Sequence, residues 1–176
     1  VEDLLDHSRF ERGVIPLEPK EIDLRDLIGQ VVNLQMPEAE KKFIRLSVKQ
    51  PEHRLNARVD PERMIQVITN LVVNAIHYTP EGGQVSVEVS EEAMSAGKRA
   101  RIKVEDSGIG IPSALLPNLF KPFFRVSEKT KGTGLGLSIA RDIIRAHGGD
   151  ITVQTQPGVG SCFMVDLPVS GGEASG

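Results

Sequence analysis

The chain has 176 residues, 39% of them hydrophobic and 26% charged, an ordinary composition for one globular domain that buries a core without staples. Its 21 basic and 24 acidic residues leave a net charge of −3, which argues against a nucleic-acid partner or a polybasic membrane surface. One cysteine excludes an internal disulfide framework and any CxxC zinc site and suits a reducing compartment.

No apolar run approaches the roughly 18 residues of a membrane span, and the acidic start is not a signal peptide. A cytoplasmic chain with no direct membrane contact is therefore expected. Glycine is the unusual entrant, at 17 residues against a usual share of roughly 7%. Where the glycines sit therefore matters.

Residues 1–12 read as the last turns of a helix, with Val1, Leu4, Leu5 and Ser8 on one face and Gly13 as its stop. So short and charged a segment would not hold a helix alone, so it is expected to continue a longer one upstream. The stretch 15–24 contains two prolines and an edge strand. Asp23 then caps a helix over 24–42 that turns Leu27, Ile28, Val31 and Leu34 inward, with Pro37 kinking or interrupting it.

Ile44, Leu46 and Val48 alternate as a half-buried strand does, and Leu55, Ala57 and Val59 suggest a second. Asp60-Pro61 is a cap followed by a first-turn proline, and the helix it starts runs to about Tyr78. Val85, Val87 and Val89, then Ile102 and Val104, form a hairpin around a polar turn over 91–99. A short helix over 112–119 leads into a mobile loop over 120–132. A further helix spans about 134–147, closed by Gly148-Gly149. A last hairpin pairs 151–155 with 162–167 around Pro157-Gly158-Val159-Gly160. Helices alternating with antiparallel hairpins point to an α/β two-layer sandwich rather than a doubly wound parallel fold.

Three stretches carry chemistry. At about 100° per residue, Arg63, Gln66, Asn70, Asn74 and His77 share one narrow sector of the helix 61–78, and apolar residues fill most of the rest. A helix apolar over most of its circumference is buried, so the two asparagines need partners. Amide oxygens suit a hard cation such as Mg²⁺ beside phosphate. A solvent-facing stripe accounts for the pattern equally well.

Asp106-Ser107-Gly108-Ile109-Gly110 sets a carboxylate at a strand end, where it could accept from an amino group on a base. Ordinary turns contain the same pattern. Gly132-Thr133-Gly134-Leu135-Gly136-Leu137 places three alternate glycines before a helix, offering free N–H groups and a positive helix end to phosphate. It is neither a Walker A sequence nor a GxGxxG fingerprint, and a flexible hinge remains an alternative.

In this order, these features resemble the catalytic and ATP-binding domain of sensor histidine kinases, over residues 1–168. Asn70-Leu71-Val72-Val73-Asn74-Ala75 matches that family's N box, Asp106 to Gly110 its G1 box, Phe120-Lys121-Pro122-Phe123-Phe124-Arg125 its F box and Gly132 to Leu137 its G2 box. Tyr78-Thr79-Pro80, His147-Gly148-Gly149 and Gly158-x-Gly160-Ser161-x-Phe163 fit as well.

The resemblance implies the Bergerat ATP-binding fold, a mixed and mostly antiparallel sheet packed on three main helices. It divides the chain into the end of a dimerisation and phosphoacceptor helix with its linker (1–13), the catalytic ATP-binding domain (14–168) and a flexible tail (169–176). By position, Asn74 would ligate Mg²⁺ bridging the phosphates of ATP, with Asn70 beside them. Tyr78 would pack near the nucleotide, Asp106 would bind the adenine amino group, and Gly108 and Gly110 would line the base pocket. The loop 120–132 would be a lid anchored by Phe123 and Phe124, and Arg125 would steady the transferring phosphoryl group. Gly132, Thr133, Gly134, Leu135, Gly136 and Leu137 would hinge the lid and admit phosphate. This division suits phosphoryl transfer, which needs metal, positive charge and positioning more than covalent help.

Two departures stand out. His77 occupies a position where the family commonly has lysine, and an imidazole brings a charge that depends on pH near neutrality. No phosphoacceptor box is present: His7 reads as an exposed helix residue, His53 sits in a polar turn and His147 caps a helix end. The γ-phosphoryl acceptor would then lie on a helical domain of the same protein, in a homodimeric parent served by a response regulator receiver domain. The alternatives are an ATPase clamp of the same fold, or a nucleotide-binding regulatory module without turnover. Clamps use a glutamate where this chain has Asn70, and asparagine cannot act as that base.

Overall fold

Strands β4 (Gln84–Met94), β5 (Gly97–Asp106) and β7 (Gly160–Pro168) each bury every second residue, so one face of the sheet they form must be covered. The computed structural model describes residues 4–5, 15–127 and 132–169. Three helices supply the cover: α1 (Leu24–Lys41), α2 (Pro61–Tyr78) and α3 (Gly136–Ala146). The sheet is completed by β2 (Arg45–Lys49) and β6 (Asp150–Gln156), in the order β2-β4-β5-β7-β6. Only the β2–β4 pair is parallel. Strands β1 (Lys20–Asp23) and β3 (Asn56–Val59) form a separate antiparallel pair. This is the expected two-layer sandwich with a mixed, mostly antiparallel sheet.

Helix α1 packs on β2 and β4, α2 on β4 and β5, and α3 on β6, with α2 between the other two helices. Ile28, Met64, Ile68, Leu71, Ile102, Ile139 and Ile143 are fully enclosed between the layers. Both long helices start where their caps require. The Asp23 carboxylate accepts from Arg25 N at 3.1 Å, and the Asp60 carboxylate from Arg63 N at 3.1 Å, with Pro61 in the first turn. The other end of α2 is closed by the Lys42 ammonium, which donates to the carbonyls of Ile76, His77 and Thr79 at 2.9, 3.2 and 2.7 Å. None of these helices is long and apolar enough to cross a membrane.

The structure corrects several expectations. Pro37 does not interrupt α1, because it falls in the last turns and forfeits a single ladder bond there. Leu34 is 62% exposed and Val32 is buried in its place; Leu34 lies about 100° from the middle of the buried arc. The polar stretch 91–99 is mostly ladder, since β4 and β5 stay paired out to Met94 and Gly97. This end of the hairpin projects beyond the helices, so its side chains are polar while its backbone remains paired. The helix 112–119 is a 3-10 helix over Ser113–Asn118, containing Pro117. Helix α3 begins at Gly136, because Gly134 has a φ of +76°, outside the helical range. Leu4 and Leu5 are helical and exposed. The rest of the predicted 1–13 helix end, positions 128–131 of the loop and the tail from 170 onward lie outside the described residues.

Candidate functional site

Strand alternation places Asp106 on the covered side. Ala100, Ile102, Val104 and Asp106 follow one another along the buried face of β5, opposite Leu167, Val165, Phe163 and Ser161 of β7. At the strand end the next residue inward is thus a carboxylate, 8% exposed, facing a cleft of about 410 Å³ instead of core. Its Oδ1 accepts from Gly108 N at 2.8 Å and Ser161 N at 3.3 Å. Burial pushes the Asp106 carboxyl above the usual carboxylate value, against the pull of those two N–H groups and with a further push from Glu105. A buried carboxylate whose Oδ2 has no hydrogen-bond partner among the described residues is suited to accepting a hydrogen bond from a ligand amino group.

Helix α2 forms a second wall, contributing Asn70, Asn74, His77 and Tyr78. Asn70 Nδ2 donates to the Gly136 carbonyl at 3.3 Å. Since a carbonyl only accepts, this contact fixes the amide orientation and leaves Oδ1 as the acceptor. A Cβ at Gly136 would stand 3.6 Å from the Asn70 amide, an ordinary van der Waals contact, so this approach does not itself require glycine. Asn74 is half-buried on the cleft wall, and its amide has no protein hydrogen-bond partner among the described residues. His77 is exposed at the cleft, in the last turn of α2.

The third wall is made of loops. Phe124, Arg125 and Val126 line the cleft together with Gly132, Thr133 and Gly134. At Gly134 the two stretches touch, and a Cβ would lie 2.7 Å from the Phe123 carbonyl carbon. Thr133 Oγ1 accepts from Leu135 N at 3.3 Å, and Leu137 lines the cleft from the first turn of α3.

Most of the residues singled out in the sequence converge here, but Arg63 and Gln66 of the α2 seam, Gly108 and Leu135 do not line the cleft. Gly108 is buried beneath it, where a Cβ would come within 2.6 Å of both Asp106 Oδ1 and the Tyr78 carbonyl. Its role is to let the backbone fold back onto Asp106. Leu135 is fully buried, a core side chain whose carbonyl starts α3 by accepting from Ile139 N. Gly110, with a φ of +71°, lines the cleft and packs against the β6–β7 turn, where a Cβ would be 2.3 Å from the Gln156 carbonyl oxygen.

The structure adds an anchor for the loop. Phe123 is 56% exposed with a φ of +64°. Phe124 is half-buried and lines the cleft, and Phe120 also holds the loop to the core, edge-on to Phe163 at 6.4 Å with the Arg141 guanidinium 4.6 Å above its ring. Sequence reasoning missed Ile111, Leu119, Ser161 and Phe163 as lining residues. Only Gly160-Ser161-x-Phe163 gave a signal, and its meaning depends on the β5–β7 register.

A family profile for histidine kinase-, DNA gyrase B-, and HSP90-like ATPases matches residues 59–171. The alginate biosynthesis sensor protein KinB of Pseudomonas aeruginosa is 37% identical over 169 residues, 96% of this chain and 28% of its own length. The chain thus spans less than a third of that curated relative. Among solved structures, the nucleotide-free catalytic domain of histidine kinase ThkA superposes with a TM-score of 0.74 at 33% identity, over 86% of this chain and 96% of that one. Full-length ShkA in complex with AMPPNP superposes with a TM-score of 0.84 at 30% identity, over 96% of this chain and 35% of that one.

Proposed function

The chain belongs to the family of histidine kinase-, DNA gyrase B- and HSP90-like ATPases, and on that premise we propose that it is the ATP-binding catalytic domain of a two-component sensor histidine kinase. It transfers the γ-phosphoryl of Mg·ATP to a histidine on a helical dimerisation domain outside residues 15–169. The observation that carries this reading is the convergence of Asp106, Asn70, Asn74 and the loop 132–137 on one cleft between α2, α3 and the end of β5. That is an acceptor for a base and a set of groups for phosphates on the walls of one cleft.

Asp106 accepts from the exocyclic amine of adenine, and Tyr78, Gly110, Ile111 and Phe163 enclose the ring. The backbone N–H groups at the start of α3 and the glycine loop receive phosphate. Asn74 fits a hard cation, because its half-buried amide oxygen has no competing protein partner among the described residues. No group of three His, Cys, Asp or Glu able to hold a metal occurs among those residues, so the cation would be shared between Asn74 and the phosphates of the substrate. When bound, Mg²⁺ supplies positive charge to the phosphates.

Arg125 brings a guanidinium to the cleft, where it steadies charge on the transferring phosphoryl group. The bond from the γ-phosphorus to the β-bridging oxygen breaks, a phosphorus–nitrogen bond to imidazole forms, and ADP leaves. Hydrolysis is disfavoured, since the Asn70 amide has no basic site with which to activate water and its nitrogen is engaged by Gly136. In the full protein, a homodimer through the helical domain, phosphate would pass on to a response regulator receiver, with this domain on the cytoplasmic side.

Mixed with a matching acceptor domain and γ-labelled ATP, the chain should produce acid-labile label on histidine. Free phosphate alone, or acid-stable label, would overturn the reading in favour of a clamp or another phosphotransferase. Asn74→Ala should weaken Mg·ATP binding by about tenfold, the loss of roughly one good polar contact. Calorimetry with and without Mg²⁺ checks it: a variant whose affinity is unchanged removes Asn74 from the cation.

A further inference from the structure

Helices α2 and α3 run antiparallel and are pinned to each other at two points. One is in the cleft, where Asn70 Nδ2 donates to the Gly136 carbonyl at 3.3 Å. The other is at the far end, where Asp60 N donates to His147 Nε2 at 2.9 Å. The pins are ten residues apart on α2 and eleven on α3, about 15 Å of helix. Together with the packing of Ile139, Ile143 and Ile144 in the core, these two bonds set the angle between the helices, and loss of one leaves the other as a hinge.

The far pin depends on the protonation pattern of one ring. His147 Nδ1 lies 2.7 Å from the Ile143 carbonyl, which only accepts, so Nδ1 carries the proton. Nε2 is then a bare acceptor, as the Asp60 N–H requires. Asp60 is itself 7% exposed and fully engaged. One carboxylate oxygen caps α2 at Arg63 N, and the other accepts from Glu18 N at 2.9 Å. A continuous set of hydrogen bonds therefore runs from the segment 15–19, through the cap of α2, to the C-terminal end of α3.

We infer that His147 is a positioning residue for the nucleotide cleft, holding α3 and its leading glycine loop at a fixed angle to α2 and tying that angle to the segment 15–19. This rests on the nucleotide reading of the cleft. Release of the far pin lets α3 pivot about Asn70–Gly136, which moves the N–H groups offered to phosphate. Ordering of those groups by phosphate would, by the same linkage, tighten the Glu18–Asp60 contact.

The test uses the whole chain, with AMPPNP and Mg²⁺ as probe. His147→Ala should bind about tenfold more weakly at a temperature where circular dichroism shows it folded, and His147→Gln, whose amide oxygen restores an acceptor, should recover to within about threefold. Exchange of the Glu18 amide in the unaltered chain should slow on nucleotide binding, and in His147→Ala it should not respond. Nitrogen NMR of the imidazole should show the Nδ1–H form.

A folded His147→Ala with unchanged affinity, a Glu18 amide indifferent to nucleotide, or an Nε2-protonated ring would each overturn the inference while leaving the nucleotide site standing. Should the alanine variant not fold, the glutamine variant and the Glu18 amide of the unaltered chain decide it. No AMPPNP binding by the unaltered chain would overturn the nucleotide reading, and this inference with it.

Discussion

Asp106 costs the empty chain stability, and this separates its role from that of a structural carboxylate. The strand ladder places it on the buried face, and burial raises its pKa above the ordinary value of 3.8 despite two backbone N–H donors. A carboxyl whose pKa rises on folding favours the protonated native state. Its contribution to stability is therefore lost as pH climbs from the unfolded value through the folded one, and at neutral pH the charge is a net penalty. Asp106→Asn keeps an oxygen for Gly108 N and Ser161 N and removes the charge. The empty variant should melt higher at pH 7, by about 2–4 °C, with the gain vanishing on acidification to about pH 4. The same variant should lose its preference for ATP over GTP. A lower melting temperature at pH 7 would mean that Asp106 is a structural anchor and not a ligand acceptor held ready at a cost. The aspartate was legible in the sequence as one member of a motif. Its burial and its Ser161 partner were not, because both depend on β7 pairing with β5 across 55 positions.

At the scale of elements, what is written locally was readable and what depends on distant partners was not. Asp60-Pro61 marks the start of α2, because that cap is decided within four residues, and the breaker after Tyr78 marks its end, although Lys42 closes that end from elsewhere in the chain. The extent of the β4–β5 hairpin was obscured, since strands beyond the helical layer carry no apolar alternation. Three phenylalanines in one hexapeptide could not be ranked as anchors, because Phe120 is selected by Phe163 and Arg141 from elsewhere in the chain. The glycines of the loop 132–136 differ among themselves for the same reason. Gly132 has a φ of +134° with open space around it, whereas Gly134 has a φ of +76° and a Cβ there would stand 2.7–2.9 Å from the backbone of Phe123 and Phe124. Gly134→Ala must push residues 123–124 away from the glycine loop as well as strain its own backbone. It should weaken nucleotide binding by more than about tenfold while shifting the melting temperature by no more than about 2 °C, because loops of this kind open at little cost to the global fold. Gly132→Ala, strained but without a clash, should weaken binding less. Equal losses from the two would show that backbone strain alone governs this loop, and that contact with the lid does not.

At the scale of the whole molecule, the side chains of the proposed site lie on the helix-covered side of the sheet. Cover by three helices on a single face favours this, since the cleft lined by Asn70, Asn74 and Asp106 lies where that layer parts beyond the end of β5. The opposite face is a polar ladder: Glu105 beside Cys162, Lys103 beside Met164, and Arg101 beside Asp166, with the last pair joined at 2.8 Å. Cys162 therefore sits one residue from Ser161 in sequence and on the other side of the sheet from the cleft. Burial, with the Glu105 charge adding to it against the pull of Lys103, pushes its thiol up, so its thiolate fraction at neutral pH is reduced. Two results are expected with a thiol-specific disulfide reagent. The native chain should react at least about tenfold more slowly than the same chain in denaturant. Once labelled with a small group, it should bind AMPPNP within about twofold of the unlabelled chain, because the label stands outside the helix-covered layer. Labelling that abolishes binding would show that β7 cannot absorb a substituent on its outer face without moving Ser161 and the Asp106 carboxylate it holds. The sheet would then belong to the site as a moving part and not as a rigid floor.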